Sequence, residues 1–317
     1  MSTIRVPEVV PPPKQDAERL KQAFDGIGTD EKAITWVLGR RNASQRQKIK
    51  ETYQQLYKES LIHHIKSEIS GGFRDAVVLW TQDPPERDAK LAKEALKKKS
   101  GTKSLQVIVE IACASSPYHL AEVRKTYCSL FECSLEEDIA SAVPLPHRKL
   151  LLALVSSFRY DKEVVDMGVA NSEATRLHEA IKAKQLDHDQ VVHILATRNF
   201  YQLRATFECY EEKYGNHIEK DIKSCGKGDM VNLLKMVILC IDSPERHFAE
   251  VIRTSIVGLG TDEAALNRAI VCRAEVDMKK IKQVYPLIYK DTLDSDVIGD
   301  TSGDYQDFLL TLTGSKF

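Results

Sequence analysis

The sequence predicts an all-α protein made of four copies of one helical unit. Three observations carry that reading. The chain aligns with itself: Tyr57, Phe131, Tyr214 and Tyr289 lie 74, 83 and 75 residues apart, and Arg41, Ser115, Arg198 and Arg273 stand sixteen positions before them. Leu61, Leu135, Ile218 and Leu293 follow four positions later, and Ile65, Ile139, Ile222 and Val297 eight positions later. A register kept over 24 residues without a gap marks a repeat of roughly 75 residues. Apolar residues inside each unit recur at three- and four-residue spacing, the helical period. Strand-like alternation is sparse, and hairpin signals are missing from credible places.

Residues 1–15 read as a short extended arm. Met1 to Arg19 has no apolar stretch of signal-peptide type, and Pro7, Pro11, Pro12 and Pro13 favour extended backbone. The first unit, 16–86, then yields five helices in order. Leu20, Ala23 and Phe24 stripe the first; Ala33, Ile34, Val37 and Leu38 the second; Ile49, Tyr53, Leu56 and Tyr57 the third. Leu61, Ile65 and Ile69 mark the fourth, and the dense run Ala76 to Trp80 the fifth, ending before Asp83-Pro84-Pro85. Thr29, and Thr261 in the fourth unit, stand where N-caps belong, with Asp-Glu in the turn that follows.

The remaining units span 87–158, 159–243 and 244–317, with a second proline junction at Ser243-Pro244. The longer 83-residue interval puts an extra linker between units two and three, near Arg159 to Val169. Dense final runs (Val77–Trp80, Leu150–Val155, Leu233–Leu239, Phe308–Leu312) are expected to be inner helices, because a unit that only partly buries its apolar faces must stack on a neighbour.

Composition narrows the partners. With 45 basic and 46 acidic side chains, the net charge of −1 gives no general attraction to nucleic acid or anionic lipid. Binding to a negative surface needs a local patch or a bridging cation. No stretch approaches 18 uninterrupted apolar residues, which excludes a spanning helix. The seven cysteines lack zinc-type spacing, and several sit in apolar helical runs as buried thiols do, so the expected compartment is the cytosol.

One pairing carries chemistry. Gly26-Ile27-Gly28-Thr29 is followed by Glu68, and Gly258-Leu259-Gly260-Thr261 by Asp300; in both copies the acid lies 40 residues beyond the second glycine. The aligned acid position holds Ala142 in unit two and Cys225 in unit three, where the loop is also altered: Lys97-Lys98-Lys99-Ser100-Gly101-Thr102 in the former, Gln185 for the glycine in the latter. Loop and acid are kept together and lost together, which makes them one functional object. Glycines let a tight loop turn its carbonyls outward. Carbonyls of Phe24, Gly26 and Gly28 with a bidentate Glu68 supply five oxygens, and calcium takes about 6–8, which leaves room for water or a phosphate. Magnesium suits so loose a shell less well.

With these residues in view, the chain resembles an annexin, most of all those of plants. The repeat length, the glycine-loop-to-acid spacing and the run Asp300-Thr301-Ser302-Gly303-Asp304-Tyr305 carry the resemblance, which covers the chain from about Asp16 onward. It implies four annexin repeats of about five helices each, forming a curved disk with a convex face for calcium and membrane. Residue by residue, it gives one type II calcium site from Phe24, Gly26, Gly28 and Glu68, and another from Ile256, Gly258, Gly260 and Asp300. Ile27 and Leu259 would stand at the loop tips, facing the lipid interface. The triple lysine Lys97 to Lys99 is read two ways, as a calcium-independent contact with anionic lipid or as a solvated loop.

The function the resemblance implies is calcium-dependent binding to acidic phospholipid membranes by a non-enzymatic, cytoplasmic protein that becomes peripheral on membranes when calcium rises. Self-association on membranes is a further expectation; nucleic acid is not an expected partner. The alternatives are a peroxidase or nucleotide phosphatase, and an actin-binding helical scaffold. Arginine in Gly39-Arg40-Arg41-Asn42 replaces the histidine credited with peroxidase chemistry in related annexins, and no P-loop precedes the DxxG at Asp296. The EF-hand-like start at Asp294 fails at Ile298 and Tyr305. His63 and His64 have no metal spacing and are expected at the surface. The resemblance also matches Cys113 and Cys240 to a proposed redox pair, for which core packing is the plainer reading, and Asp88, Glu110 and Arg268 to the lining of a central channel, either an ion-pair network or an ion pathway.

Overall fold

The structure, a computed structural model, describes residues 1–25, 28–97, 101–258 and 260–316. Among these it contains twenty α-helices and no strand, five helices to each repeat. The first repeat is α1 (Pro13–Phe24), α2 (Glu31–Leu38), α3 (Ala43–Tyr57), α4 (Leu61–Glu68) and α5 (Gly71–Thr81). The second is α6 (Pro84–Lys97), α7 (Thr102–Cys113), α8 (Pro117–Phe131), α9 (Leu135–Ala142) and α10 (His147–Ser156). The third is α11 (Met167–Lys182), α12 (Asp189–Thr197), α13 (Phe200–Tyr214), α14 (Ile218–Ser224) and α15 (Asp229–Asp242). The fourth is α16 (Pro244–Ile256), α17 (Glu263–Arg273), α18 (Met278–Tyr289), α19 (Leu293–Asp300) and α20 (Gly303–Leu312).

The aligned sequence positions have one structural meaning in all four repeats. Tyr57, Phe131, Tyr214 and Tyr289 each end the third helix. The next residue, Lys58, Glu132, Gly215 or Lys290, adopts the left-handed conformation that stops it. Leu61, Leu135, Ile218 and Leu293 each open the fourth helix and are buried. The aligned arginines brace the first helices: Arg41 makes a bidentate pair with Asp16 at 2.7 and 2.8 Å, and Arg198 pairs with Glu173 at 2.7 Å, in both cases 25 residues earlier. In the fourth repeat Arg273 turns instead to Asp277, at 2.8 and 2.6 Å.

The repeats group in pairs. One compact unit joins Met1–Pro84 with Glu245–Phe317, repeats one and four; the other is Pro85–Pro244, repeats two and three. Within each unit the exchange is reciprocal, the fifth helix of one repeat packing on the second helix of its mate. In the first unit α5 packs on α17 and α20 on α2; in the second, α10 packs on α12 and α15 on α7. The dense final runs supply these faces: Trp80, Leu154, Leu234 and Phe308 are fully buried. Each such side chain contributes on the order of 2 kcal/mol through removal of apolar surface from water.

Side chains also cross between repeats one and four. The Arg46 guanidinium lies 3.5 Å over the Trp80 ring, donates to the Arg41 carbonyl at 2.6 Å, and pairs with Glu275 at 2.9 Å. The arm runs without interruption into α1, which begins at Pro13. It is pinned to the fourth repeat, where Thr3 donates its N–H to the Ala274 carbonyl at 2.9 Å and its hydroxyl to the Leu312 carbonyl at 2.6 Å. Gly314 allows this approach: it has φ +76°, and a Cβ there would meet the Thr3 carbonyl oxygen at 2.7 Å. In the second unit the linker between repeats ends before Met167 and is held by Arg159, which is buried and donates to the carbonyls of Leu195 and Arg198 at 2.6 Å each. These are orphan acceptors at the end of α12, where a cation also meets the negative end of the helix dipole.

Candidate metal sites in the first and fourth repeats

The loop between the first and second helices closes the same way in both repeats. Asp30 donates its N–H to the Ala23 carbonyl at 2.9 Å, and Asp262 donates to the Ser255 carbonyl at 2.8 Å. Gly28 has φ +85° and Gly260 φ +88°, matching left-handed backbone that favours glycine, and in both cases the surroundings are open. The N-caps sit one residue later than the sequence suggests. Asp30 and Asp262, not Thr29 and Thr261, accept from the N–H groups of Ala33 and Ala265. An aspartate at the positive end of the helix satisfies the orphan donors and the dipole together, which frees the threonine hydroxyl for another partner.

That partner is the distant acid residue. Thr29 donates to the Glu68 backbone carbonyl at 3.2 Å; Thr261 donates to the Asp300 carboxylate at 2.5 Å and lies 3.4 Å from its backbone carbonyl. Glu68 and Asp300 are the last residues of α4 and α19. The structure thus brings the loops carrying Gly28 and Gly260 against Glu68 and Asp300. Phe24 and Ile256, the buried last residues of α1 and α16, lead into the loops, and Gly258 is exposed with φ +138°. Gly26, Ile27 and Leu259 lie outside the described residues. Beside the first loop is an open cleft of about 470 Å³, lined by Gly28, Thr29, Asp30, Glu31 and, from the fourth repeat, Asp304.

The other two repeats place different chemistry at the same positions. Ala142 ends α9, and Cys225 is the C-cap of α14. The loop threonine of repeat two, Thr102, has no acid residue at the end of α9 to meet and donates instead to Asp229 at the start of α15, at 2.7 Å. Lys97 pairs with Glu94 at 2.7 Å, while Lys98 and Lys99 fall outside the described residues.

The remaining sequence candidates are also placed. His64 is buried, against the expectation of a surface residue: α4 turns it inward beside Ile65, and its Nδ1 meets the Tyr53 hydroxyl at 2.6 Å. His63 is exposed. Arg40 stacks over the Trp36 ring at 3.7 Å. Asp88 is buried, with Arg87 at 2.8 Å and His119 at 2.7 Å; burial raises its pKa, but these partners outweigh that and hold it at about 2. Glu110 is buried and accepts from Gln106 at 2.8 Å. Cys113 and Cys240 are buried on α7 and α15, and burial pushes the Cys113 thiol up to about 11 even though Arg159 draws it down. A thiol held so far above neutral pH is a poor nucleophile. Among the described residues no three His, Cys, Asp or Glu side chains gather as a metal cluster, and no helix is long and apolar enough to cross a membrane.

The donors are hard oxygens, one carboxylate to each loop, in an open setting; this suits calcium and not a thiolate- or imidazole-binding metal. Fold and loops together define a class: an α-helical repeat protein with paired glycine loops for a hard cation. The chain belongs to the annexin family. The family's profile matches residues 15–80, 87–154, 172–237 and 247–312. The chain is 56% identical to Annexin D3 of Arabidopsis thaliana, covering 100% of both sequences. It superposes on the solved structure of annexin III with a TM-score of 0.91 at 31% identity, covering 100% of this chain and 98% of the other. It also superposes on calcium-bound annexin (Sm)1 with a TM-score of 0.86 at 29% identity, covering 100% and 94%. Annexins bind calcium and phospholipid membranes.

Proposed function

We propose that the protein binds acidic phospholipid membranes in a calcium-dependent way through two type II sites. The first takes carbonyl oxygens of Phe24, Gly26 and Gly28 with the Glu68 carboxylate; the second takes those of Ile256, Gly258 and Gly260 with Asp300. One observation carries the reading. Two loops 232 residues apart share the same backbone closure, the same left-handed glycine and the same threonine link to an acid residue 39 residues on.

Carbonyl dipoles and one carboxylate supply five oxygens to each ion, fewer than calcium takes, so phosphate oxygens of a lipid headgroup complete the shell. Ion and lipid then raise each other's affinity, because each supplies part of the other's site. The net charge of −1 leaves the protein without general attraction to an anionic surface, which gives the ion its bridging role. Both sites fall in the unit built from repeats one and four, so membrane grip is concentrated there. The protein is a binding protein and not an enzyme, cytoplasmic at low calcium and peripheral on membranes at high calcium.

The test is co-sedimentation with phosphatidylserine-containing vesicles against a calcium titration. Binding that rises with calcium and reverses in chelator is expected. Binding that ignores calcium overturns the reading in favour of a calcium-indifferent scaffold.

A further inference from the structure

The four repeats share a polar brace whose fourth-helix side chain changes only in the first. A tyrosine on the third helix meets a side chain eleven residues later on the fourth. In three repeats that side chain is an aspartate: Tyr127 donates to Asp138, Tyr210 to Asp221 at 2.9 Å, and Tyr285 to Asp296 at 2.6 Å. A basic residue on the repeat's first helix joins two of them, Lys93 at Asp138 (2.6 Å) and Arg253 at Asp296. In repeat one the aspartate is replaced by His64, and the basic residue, Lys21, turns away to Asp25 at 2.7 Å, at the start of the loop.

The substitution replaces the anionic partner of the tyrosine with an imidazole and connects the brace to the loop. The His64 ring packs on Phe24 with centroids 4.6 Å apart, and Nε2 lies 3.9 Å from Glu68 Oε1. At that distance the contact is electrostatic, not a hydrogen bond. Burial, reinforced by Glu59 and Asp25, pushes the Tyr53 phenol well above its usual range, so the hydroxyl stays protonated and can donate to Nδ1. Nδ1 faces the Tyr53 hydroxyl at 2.6 Å and Glu59 at 3.5 Å, which leaves Nε2 as the ring nitrogen turned to Glu68. Asp296 in repeat four does not serve its site this way; there Thr261 grips the Asp300 carboxylate directly, whereas Thr29 reaches only the Glu68 backbone.

We propose that His64 is the positioning residue of the first site, spanning Phe24 at the start of the glycine loop and Glu68 at its far side. The two sites hold their acids by different devices, a histidine in repeat one and a threonine in repeat four. The inference rests on the calcium reading of the two loops. It predicts that the sites differ in which neighbouring residue they depend on, because partners that orient a ligand typically account for 10- to 100-fold in metal affinity.

The test is calcium titration of the full chain by calorimetry in two backgrounds. Asp300→Asn leaves the repeat-one site, and Glu68→Gln leaves the repeat-four site. His64→Ala is expected to weaken calcium about tenfold in the Asp300→Asn background and to leave the Glu68→Gln background within twofold. His64→Gln, whose amide N–H can reach toward Glu68, restores affinity to within about threefold of the histidine protein. His64→Asp, which preserves an acceptor for Tyr53 as in the other repeats, weakens the site as much as alanine does, with the melting temperature in chelator retained. Equal affinity of the alanine and histidine proteins, equal losses in both backgrounds, or an aspartate protein that binds normally each overturns the role. If His64→Ala does not fold, the glutamine–aspartate pair decides. An Asp300→Asn protein that binds no calcium at all overturns the repeat-one site itself, and this role with it.

Discussion

Thr261 donates its hydroxyl to the Asp300 carboxylate across 2.5 Å, joining the fourth glycine loop to an acid residue at the end of α19. Its counterpart Thr29 reaches the Glu68 backbone carbonyl at 3.2 Å and leaves that carboxylate to other neighbours. The two loops therefore share backbone geometry but not the support of their acids, and this difference is measurable.

Thr261→Val is expected to lower calcium affinity at the fourth site about three- to tenfold. A hydrogen bond to a charged group contributes roughly 1.5–3 kcal/mol when sheltered and less where water competes. Thr29→Val should change the first site by less than about twofold, because its hydroxyl does not touch the carboxylate. Calcium titrations with the opposite acid neutralised separate the two; equal effects would contradict the asymmetry.

Neutralising the acids themselves should act additively on stoichiometry. Glu68→Gln and Asp300→Asn each remove one calcium of two, and the double variant loses calcium-dependent vesicle binding, since the four neutral oxygens left at each site cannot replace a bidentate carboxylate. Full calcium-dependent co-sedimentation of the double variant would falsify the site assignment.

Replacing Arg159 by methionine is expected to destabilise the repeat two–three unit by about 2–4 kcal/mol, because the buried Leu195 carbonyl and the half-buried Arg198 carbonyl lose their donor. Urea denaturation measures it. Arg159→Lys should recover less than half, as an ammonium cannot reproduce the planar fork. Calcium affinity at the fourth site should not move.

A pH effect follows from His217 and Asp242, 3.5 Å apart in the same unit. The hydrogen bond that His217 donates to the Asp242 carboxylate, opposed by burial, raises His217 above its ordinary 6.5. Burial raises Asp242, but its bonds to His217 and Ser243 outweigh that and lower it. A raised histidine contributes stability that is complete below 6.5 and is lost as pH climbs through the folded-state value. The expected loss above pH 6.5 is at most about 1 kcal/mol, since both side chains keep contact with solvent. Melting curves of the parent should decline over that range relative to His217→Gln; parallel curves would remove the pair from the account.

Much of this was legible in the sequence because a repeat tests itself. Leu61, Leu135, Ile218 and Leu293 could be aligned without coordinates, and all four open the fourth helix of their repeat. Joint loss of loop and acid in repeats two and three is the sequence signal behind the proposal that the glycines do more than turn the chain. Sequence puts the N-caps one residue early because threonine and aspartate both cap helices, and it does not say that the threonine hydroxyl has another partner. Sequence reads His64 as a surface residue because neighbouring histidines carry no sign of which is turned inward.

The sequence by itself determined the all-α class, the four-fold register and the pairing of Gly28 with Glu68 and Gly260 with Asp300. The class follows from helical spacing, which is local physics; the register and the pairings follow from comparing one repeat with another. Only the tertiary structure decided that α7 packs on α15 and α5 on α17, that Thr102 turns to Asp229, and that His64 stands between Phe24 and Glu68. Each of those depends on where separate helices meet, and a side chain's partner is fixed by burial and direction once they have packed.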